Sequence, residues 1–461
     1  MKNTLFPKLA GLYKYIPALF LIVSVPAVAQ VQQSTPSGEE YNLTLKQTID
    51  YALQNQYQVV NGKINESIAG QKIRESTSSY LPQLNGNAEL DDYFAKPVSI
   101  IPGSFFTAFS GHPSPDVAVS FLLQYQATAG LSASQAIFNA SYLTALKAAK
   151  TYAGLSKDQT KQIEIEEVAA VTKLYYKTVI DQKNLNALDS TISISQKNLD
   201  DAKAMYAQGF KEKLDVDRLT VALSAQQVQR QSKRGDLDVD YFTIKYTMGM
   251  PVNASLTLTD NLPDSFPAPV TETSDYTKRI EYAVNQTQLD LDIFTVKANK
   301  AGYIPTLSAF GSISANAYRS EFNIFDTKQQ WYPTGVIGLK LNVPIFDGFQ
   351  KAAKIKEANF TAMQDQNKIN DLKNSIALDV KKSSVSYESS YKNLVREKES
   401  LKLAQDVAHV SKTKYEEGVG SNLEVTTDEN GLLQEQMNYY TALLGVASAW
   451  VDLQKAKGTL Y

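Results

Sequence analysis

Between Asn139 and Met205 the sequence contains no proline and one glycine, Gly154; between Phe349 and Glu417 it contains neither. Proline removes a helical hydrogen bond and glycine costs about 1 kcal/mol in a helix interior, so runs this free of both predict two very long helices. At ~1.5 Å of rise per residue each would reach about 100 Å, far more than a compact core needs. Val171, Thr178, Leu185, Ile192, Leu199 and Tyr206 recur every seventh residue in the first run, and Val380, Tyr387, Leu394, Leu401, Ala408 and Tyr415 in the second. Such a stripe is the seam of helices packed as coiled coils. Polar residues between these positions (Gln182, Asp189, Gln196) make it a partly wet seam.

The two runs are copies of one unit. Tyr206-x-x-Gly209 is followed by Leu214-Asp215-Val216, and Tyr415-x-x-Gly418 by Leu423-Glu424-Val425, at an offset of 209 residues (415 − 206) that also carries Gly249 onto Gly458. Upstream, Ile137-Phe138-Asn139 matches Ile345-Phe346-Asp347, and Tyr80-Leu81-Pro82-Gln83-Leu84 resembles Tyr303-Ile304-Pro305-Thr306-Leu307. Order kept over such a span means one supersecondary unit used twice. The first repeat covers 42–250, with a long helix at about 139–205 and a return helix at about 216–248. The second covers 276–461, with a long helix at about 347–414 and a return helix at about 422–457. Pro251, Pro263, Pro267 and Pro269 punctuate the connector, 251–275.

Ahead of each long helix the period changes from seven to two. Val117, Val119, Phe121, Leu123, Tyr125, Ala127, Ala129, Leu131 and Ala133 alternate with polar or small residues, and Leu307 to Ala317 and Ile337 to Val343 do the same. Hairpins are therefore expected at about 84–134 and 306–343, the strand after Leu84 being interrupted by Asp91-Asp92. Period-two segments of about ten residues mark barrel strands with lipid outside and water inside. Tyr93, Phe94, Phe105, Phe106, Trp331 and Tyr332 are expected near strand ends, where rings suit a lipid–water boundary. Four strands cannot close a barrel alone, and an open edge in lipid leaves backbone groups unpaired; three chains would supply twelve strands. The expected class is mainly α with a membrane β-barrel.

The N-terminus agrees with a secreted destination. Lys2, Lys8 and Lys14 precede the apolar run from Ile16 to Val25, and Ala27-Val28-Ala29 has the small-x-small form of a cleavage site. A signal peptide is expected over 1–29 and a flexible segment over 30–41. The chain has no cysteine, which excludes disulfides, thiolate metal sites and a lipidated cysteine. Its 46 basic and 48 acidic residues are spread along the chain, so nothing points to nucleic acid. His112 and His409 stand far apart, Gly418-Val419-Gly420 lacks the rest of a nucleotide loop, and no carboxylates form an acid/base motif. Neither an enzyme nor a bound metal or cofactor is expected.

With these motifs the chain resembles the TolC family of outer-membrane efflux channels. The resemblance runs from Leu43-Thr44-Leu45 to Gly458, and Pro344-Ile345-Phe346-Asp347-Gly348 looks like the family's step from strand to long helix. In the first copy Ala136 replaces the proline. The resemblance implies a homotrimer in outer-membrane lipid, with a twelve-stranded barrel and a periplasmic helical tunnel. It further implies docking to a periplasmic adaptor protein and an inner-membrane pump. By the same likeness Tyr206, Gly209, Leu214, Gly418 and Leu423 form tip turns that dock the adaptor. Glu424 stands where family members carry a pore-constricting acid, and Asp215 and Tyr415 where residues hold the tip closed. The chain departs from the pattern at Thr427, where a second acid is expected (Asp428 is one position late), and at Gly420, where a basic latch residue is expected.

Plainer roles stand beside these. Ser421-Asn422-Leu423-Glu424 is a capping-box pattern, so Glu424 reads equally as a helix cap. Gly209 and Gly418 read equally as turn glycines, and Tyr206 as a packing residue. The functional alternative is a secreted trimeric coiled-coil scaffold or adhesin that conducts nothing.

Overall fold

The computed structural model describes residues 40–461 apart from 114, 261, 262, 264, 271–274 and 327. The segment expected to be a signal peptide, 1–29, lies outside the described residues. The segment read as flexible to residue 41 gives way at Glu40 to a strand, β1 (Glu40–Leu43), followed by α1 (Leu45–Asn55) and α2 (Tyr57–Ser78). Next come β2 (Gln83–Asp92), β3 (Ser99–Ile101), α3 (Gly103–Ser110), β4 (Val117–Val119) and β5 (Tyr125–Phe138). The helices α4 (Ala140–Ala207) and α5 (Lys213–Thr247) complete the first copy. After β6 (Ser255–Leu258) the second copy runs through α6 (Ile280–Ala301), β7 (Thr306–Arg319), β8 (Tyr332–Asn342), α7 (Gln350–Glu416) and α8 (Asn422–Lys457).

The helices α4 and α7 contain 68 and 67 residues, so each extends about 100 Å. Their seven-residue stripes are the faces they bury. Val171, Thr178, Leu185 and Leu199 are buried on α4, and Val380, Tyr387 and Ala408 on α7, while Tyr206 at the end of the first stripe is half exposed. Each long helix packs against shorter ones, α4 on α2, α5, α6 and α8, and α7 on α6 and α8. Contacts such as Arg230 with Asp189 supply the wet part of the seam.

Two apolar clusters hold the middle. Val171, Tyr175 and Val179 of α4 pack with Ile244, Met248 and Leu256 beneath the parallel β1–β6 pair. The Tyr175 hydroxyl donates to Leu43 O (3.3 Å) and accepts from Asp260 N (3.0 Å), tying the connector to that pair. A second cluster joins the copies: Ile180 of α4 meets Tyr387 of α7, Leu443 and Val446 of α8, and Phe266 of the connector. Tyr387 donates to Pro267 O (2.5 Å), and burial pushes its phenol up to about 12.

The helices α4, α5, α7 and α8 each end on a glycine with positive φ: Gly209 (80°), Gly249 (72°), Gly418 (79°) and Gly458 (70°). Each closes the same C-terminal cap, yet the glycines differ in pairs. A Cβ on Gly249 would stand 2.5 Å from Asn55 O, and one on Gly458 2.5 Å from Lys278 O, whereas one on Gly209 or Gly418 would meet nothing within 4 Å among the described residues. Gly249 is thus where the end of α5 abuts the junction of α1 and α2, and Gly458 where the end of α8 abuts the chain just before α6. Gly209→Ala or Gly418→Ala should cost only the left-handed backbone penalty, about 1–2 kcal/mol. Gly249→Ala or Gly458→Ala adds a backbone clash and should lower the thermal midpoint of the detergent-solubilised protein several-fold more. Equal losses at all four positions would mean the clash relaxes freely.

The main sheet has the antiparallel order β2-β5-β7-β8. The strand read at 117–133 is displaced: β5 begins at Tyr125, and residues 117–119 belong to a small β3–β4 hairpin. Asp92 pairs with Tyr125, and Pro97 and Pro102 then turn the chain away, so the alternation at 117–123 comes from two unrelated pieces. Phe105 and Phe106, expected at strand ends, are on α3 instead.

Candidate functional site

Register divides the sheet into two chemically distinct faces. One carries Leu84, Gly86, Ala88 and Leu90 of β2 beside Ala133, Leu131, Ala129 and Ala127 of β5. It continues through Leu307, Ala309, Gly311, Ile313, Ala315 and Ala317 of β7, and Leu341, Leu339, Ile337 and Gly335 of β8. Every residue of this set is apolar or glycine, and Leu84, Ile313, Ile337, Leu339 and Leu341 are exposed. The other face carries Asn85, Asn87 and Glu89, Gln126, Thr128, Ser132 and Ser134, Ser308, Ser312, Ser314 and Asn316, then Thr334, Lys340 and Asn342. Thr128 Oγ1 donates to Asn316 Oδ1 (3.0 Å), and Asn316 Nδ2 donates to Thr334 Oγ1 (3.1 Å), linking three strands on the polar side. The same register adds Gln135 opposite Ala309, and Asp92 and Arg319 flanking Tyr125 at the end of this face, so its middle is apolar and its margins carry polar groups. An exposed face apolar through its middle and backed by a hydroxyl and amide face has the character of a wall between lipid and water. Among the described residues both outer strands, β2 and β8, have one unpaired edge. No described helix is long and apolar enough to cross a membrane.

The far ends of the long helices form the second feature. Gly209 N donates to Tyr206 O (3.0 Å) and Phe210 N to Met205 O (2.9 Å); Gly418 N donates to Tyr415 O (3.0 Å) and Val419 N to Lys414 O (2.9 Å). This double cap ends both helices the same way and needs the left-handed residue at glycine. Phe210, Leu214, Val419 and Leu423 project from the two turns, all exposed.

The tip residues expected from the sequence are brought together only in part. Tyr415 meets Lys211, whose Nζ donates to the Tyr415 hydroxyl (3.2 Å) and lies 5.2 Å from the ring centre. Asp215 is in the first turn of α5, its amide donating to Glu212 O (3.1 Å), with no side-chain hydrogen bond among the described residues. Ser421 caps α8 by accepting from Glu424 N (3.1 Å), but the Glu424 carboxylate is not part of a reciprocal cap; it stands 3.9 Å from Lys414 Nζ. Asp428 accepts from Ser411 on α7, and Thr427 donates to Leu423 O (2.7 Å), so both are engaged within the chain. At Gly420 a Cβ would meet Tyr415 N at 2.9 Å, which explains the missing basic side chain there. Lys211 is the tip residue that sequence reasoning missed. It follows Gly209 by two residues just as Gly420 follows Gly418, and the repeat offset was the signal for it.

Away from the tip the two helical pairs touch through polar contacts. Asn198 Nδ2 donates to Glu429 Oε2 (3.2 Å) and Gln226 Nε2 to Asn430 Oδ1 (2.9 Å). Burial between the helices raises the Glu429 carboxyl above its ordinary range.

Known proteins share this architecture. Residues 285–459 match the family described as outer membrane efflux protein. The solved outer-membrane channel CmeC of Campylobacter jejuni superposes with a TM-score of 0.70 at 14% identity, covering 90% of this chain and 86% of that one. Among sequence relatives, the protease secretion protein PrtF of Dickeya chrysanthemi is 23% identical over 297 residues, 61% of this chain and 62% of that protein. The alkaline protease secretion protein AprF of Pseudomonas aeruginosa is 23% identical over 180 residues, 39% of this chain and 37% of that protein. The chain thus spans less than two thirds of the curated relatives it matches. The sheet carried on paired helices of about 100 Å is therefore a fold that this chain shares with solved outer-membrane channels. Residues 285–459, within the second copy, are thus similar to the outer membrane efflux protein family, and the chain as a whole shares its fold with a solved outer-membrane channel.

Proposed function

We propose that the protein is the outer-membrane channel subunit of a tripartite efflux or type I secretion system. Three copies close a twelve-stranded barrel and a helical tunnel, and substrates enter from a periplasmic adaptor and an inner-membrane pump. The observation that carries this reading is the two-faced sheet with both edges open. A secreted scaffold or adhesin has no use for an exposed face whose middle is apolar residues and glycine, because water would oppose it. The protease secretion relatives favour a polypeptide as the exported substrate.

In this reading Glu424, one per copy, forms a ring of three carboxylates at the narrow end of the tunnel. Its carboxylate is free of cap duty, and its pairing with Lys414 at 3.9 Å is an exposed one, worth about 1 kcal/mol or less. Carboxylate rings select cations. In planar bilayers Glu424→Gln should weaken cation selectivity and relieve block by multivalent cations, at nearly constant side-chain volume. Because Ser421 holds the cap, Glu424→Ala should match it in conductance and cost only a few tenths of a kcal/mol in helix stability. Wild-type selectivity in both variants would remove Glu424 from the pore. The absence of any conductance from the reconstituted wild-type protein would overturn the channel reading as a whole.

A further inference from the structure

The segment joining β2 to β5, residues 93–124, carries only Lys96 and Asp116 as charges, and none between 97 and 115. It folds as the β3–β4 pair with α3 between the strands. Asp116 Oδ1 accepts from Gly103 N (2.7 Å) and closes the base of that helix. From this unit apolar side chains face outward: Phe94 is 94% exposed and Phe109 82%, with Ile100, Phe105 and Phe121 also exposed. Rings displayed in this number mark a surface that something covers.

Three observations say what covers it. Tyr93 N donates to Gln124 O (2.8 Å), carrying the β2–β5 ladder one rung beyond Asp92. In that register Phe94 and Leu123 fall on the same face as Leu90 and Ala127, one step beyond the Asp92–Tyr125 pair. The β7–β8 loop lies on the same face: Ile324 buries Ala127 and Ala317, and Phe322 packs edge-on against Tyr125 (5.4 Å). Arg319 pins this loop, donating to Tyr318 O and Gln330 O (both 2.8 Å), and Phe325 remains exposed beyond it.

We propose that the two loops form a collar embedded in the outer leaflet, with α3 lying in the membrane interface and lipid acyl chains as its occupant. The proposal rests on the sheet being the membrane wall and adds that the wall does not end where the strands do. Eight residues are too few to span a bilayer, but an apolar helix of that length can lie in the interface plane. Loops that met over the pore axis would be expected to pack on the polar side of the sheet, whereas Ile324 and Phe322 pack on the apolar one.

The chain has no cysteine, so single spin labels can be placed cleanly. Phe109→Cys, Leu339→Cys and Val419→Cys are labelled and the protein is reconstituted in phosphatidylethanolamine–phosphatidylglycerol vesicles. Collision rates are then measured with oxygen, which partitions into lipid, and with a water-soluble nickel chelate. The Leu339 label should favour oxygen and the Val419 label the chelate, and the Phe109 label should behave like that at Leu339. A Phe109 label that favours the chelate overturns the collar, because the loop is then in water. Shielding from both agents, with spin coupling between neighbouring copies, also overturns it, because the loops then cover one another. A Leu339 label that does not favour oxygen overturns the membrane wall itself, and the collar with it.

Discussion

Leu339→Arg should abolish the heat-resistant, membrane-extracted assembly, whereas Val336→Arg, three residues away on the same strand, should leave it formed. Leu339 belongs to the apolar face of β8, opposite Ala309, and Val336 to the polar face, opposite Ser312. A cation on the lipid side near the bilayer midplane costs about 2–4 kcal/mol, and in an oligomer the cost recurs in every copy. On the polar face water would solvate the same cation. The pair therefore tests orientation with the backbone element held constant.

Assembly follows from the same sheet. The strands β2 and β8 are 10 and 11 residues long, and each presents an unpaired edge. In hydrocarbon every unpaired amide and carbonyl costs several kcal/mol, so a sheet placed in lipid predicts that these edges pair between copies. Mass measurement of the wild-type complex in mild detergent should give three copies. A stable monomer, or equal tolerance of arginine on both faces, would sink the barrel.

The helical part of this architecture was legible because helix breakers are so costly that their absence over a long run is itself a signal. The stripe through Val171 and Leu199 was legible because a long helix must keep one face toward its neighbours, and seven-residue spacing does that. The faces of β7 and β8 could be read because a one-residue slip would turn every side chain to the wrong solvent. Alternation failed at 117–123 because a period of two identifies an extended chain, not its partner; β4 and the loop after it mimic a strand that in fact starts at Tyr125. The tip was legible as turns but not as contacts. Which cation meets Tyr415, and that Ser411 engages Asp428, depends on how two helical pairs lean together, and no local pattern encodes that.

Gly209→Val and Gly418→Val should each abolish export while leaving the protein in the outer membrane. Both positions have φ near +80°, where a β-branched residue is strongly disfavoured, so valine must rearrange the turn rather than fit it. The rearrangement stays local, since a Cβ at either glycine would have no neighbour within 4 Å. The nearest apolar cluster, around Leu199 and Leu219, lies back along α4 and α5 from the tip. What the turns present outward is Phe210, Leu214, Val419 and Leu423, exposed residues that an adaptor protein would cover. Phe210→Ser and Val419→Ser, which remove apolar surface without touching the backbone, should weaken adaptor capture in a pull-down with the cognate adaptor while leaving turn geometry alone. Serine effects alongside valine effects make the turns a docking surface. If the valine variants export at the wild-type rate, the turns only join helices, and the adaptor is held elsewhere along α7 and α8.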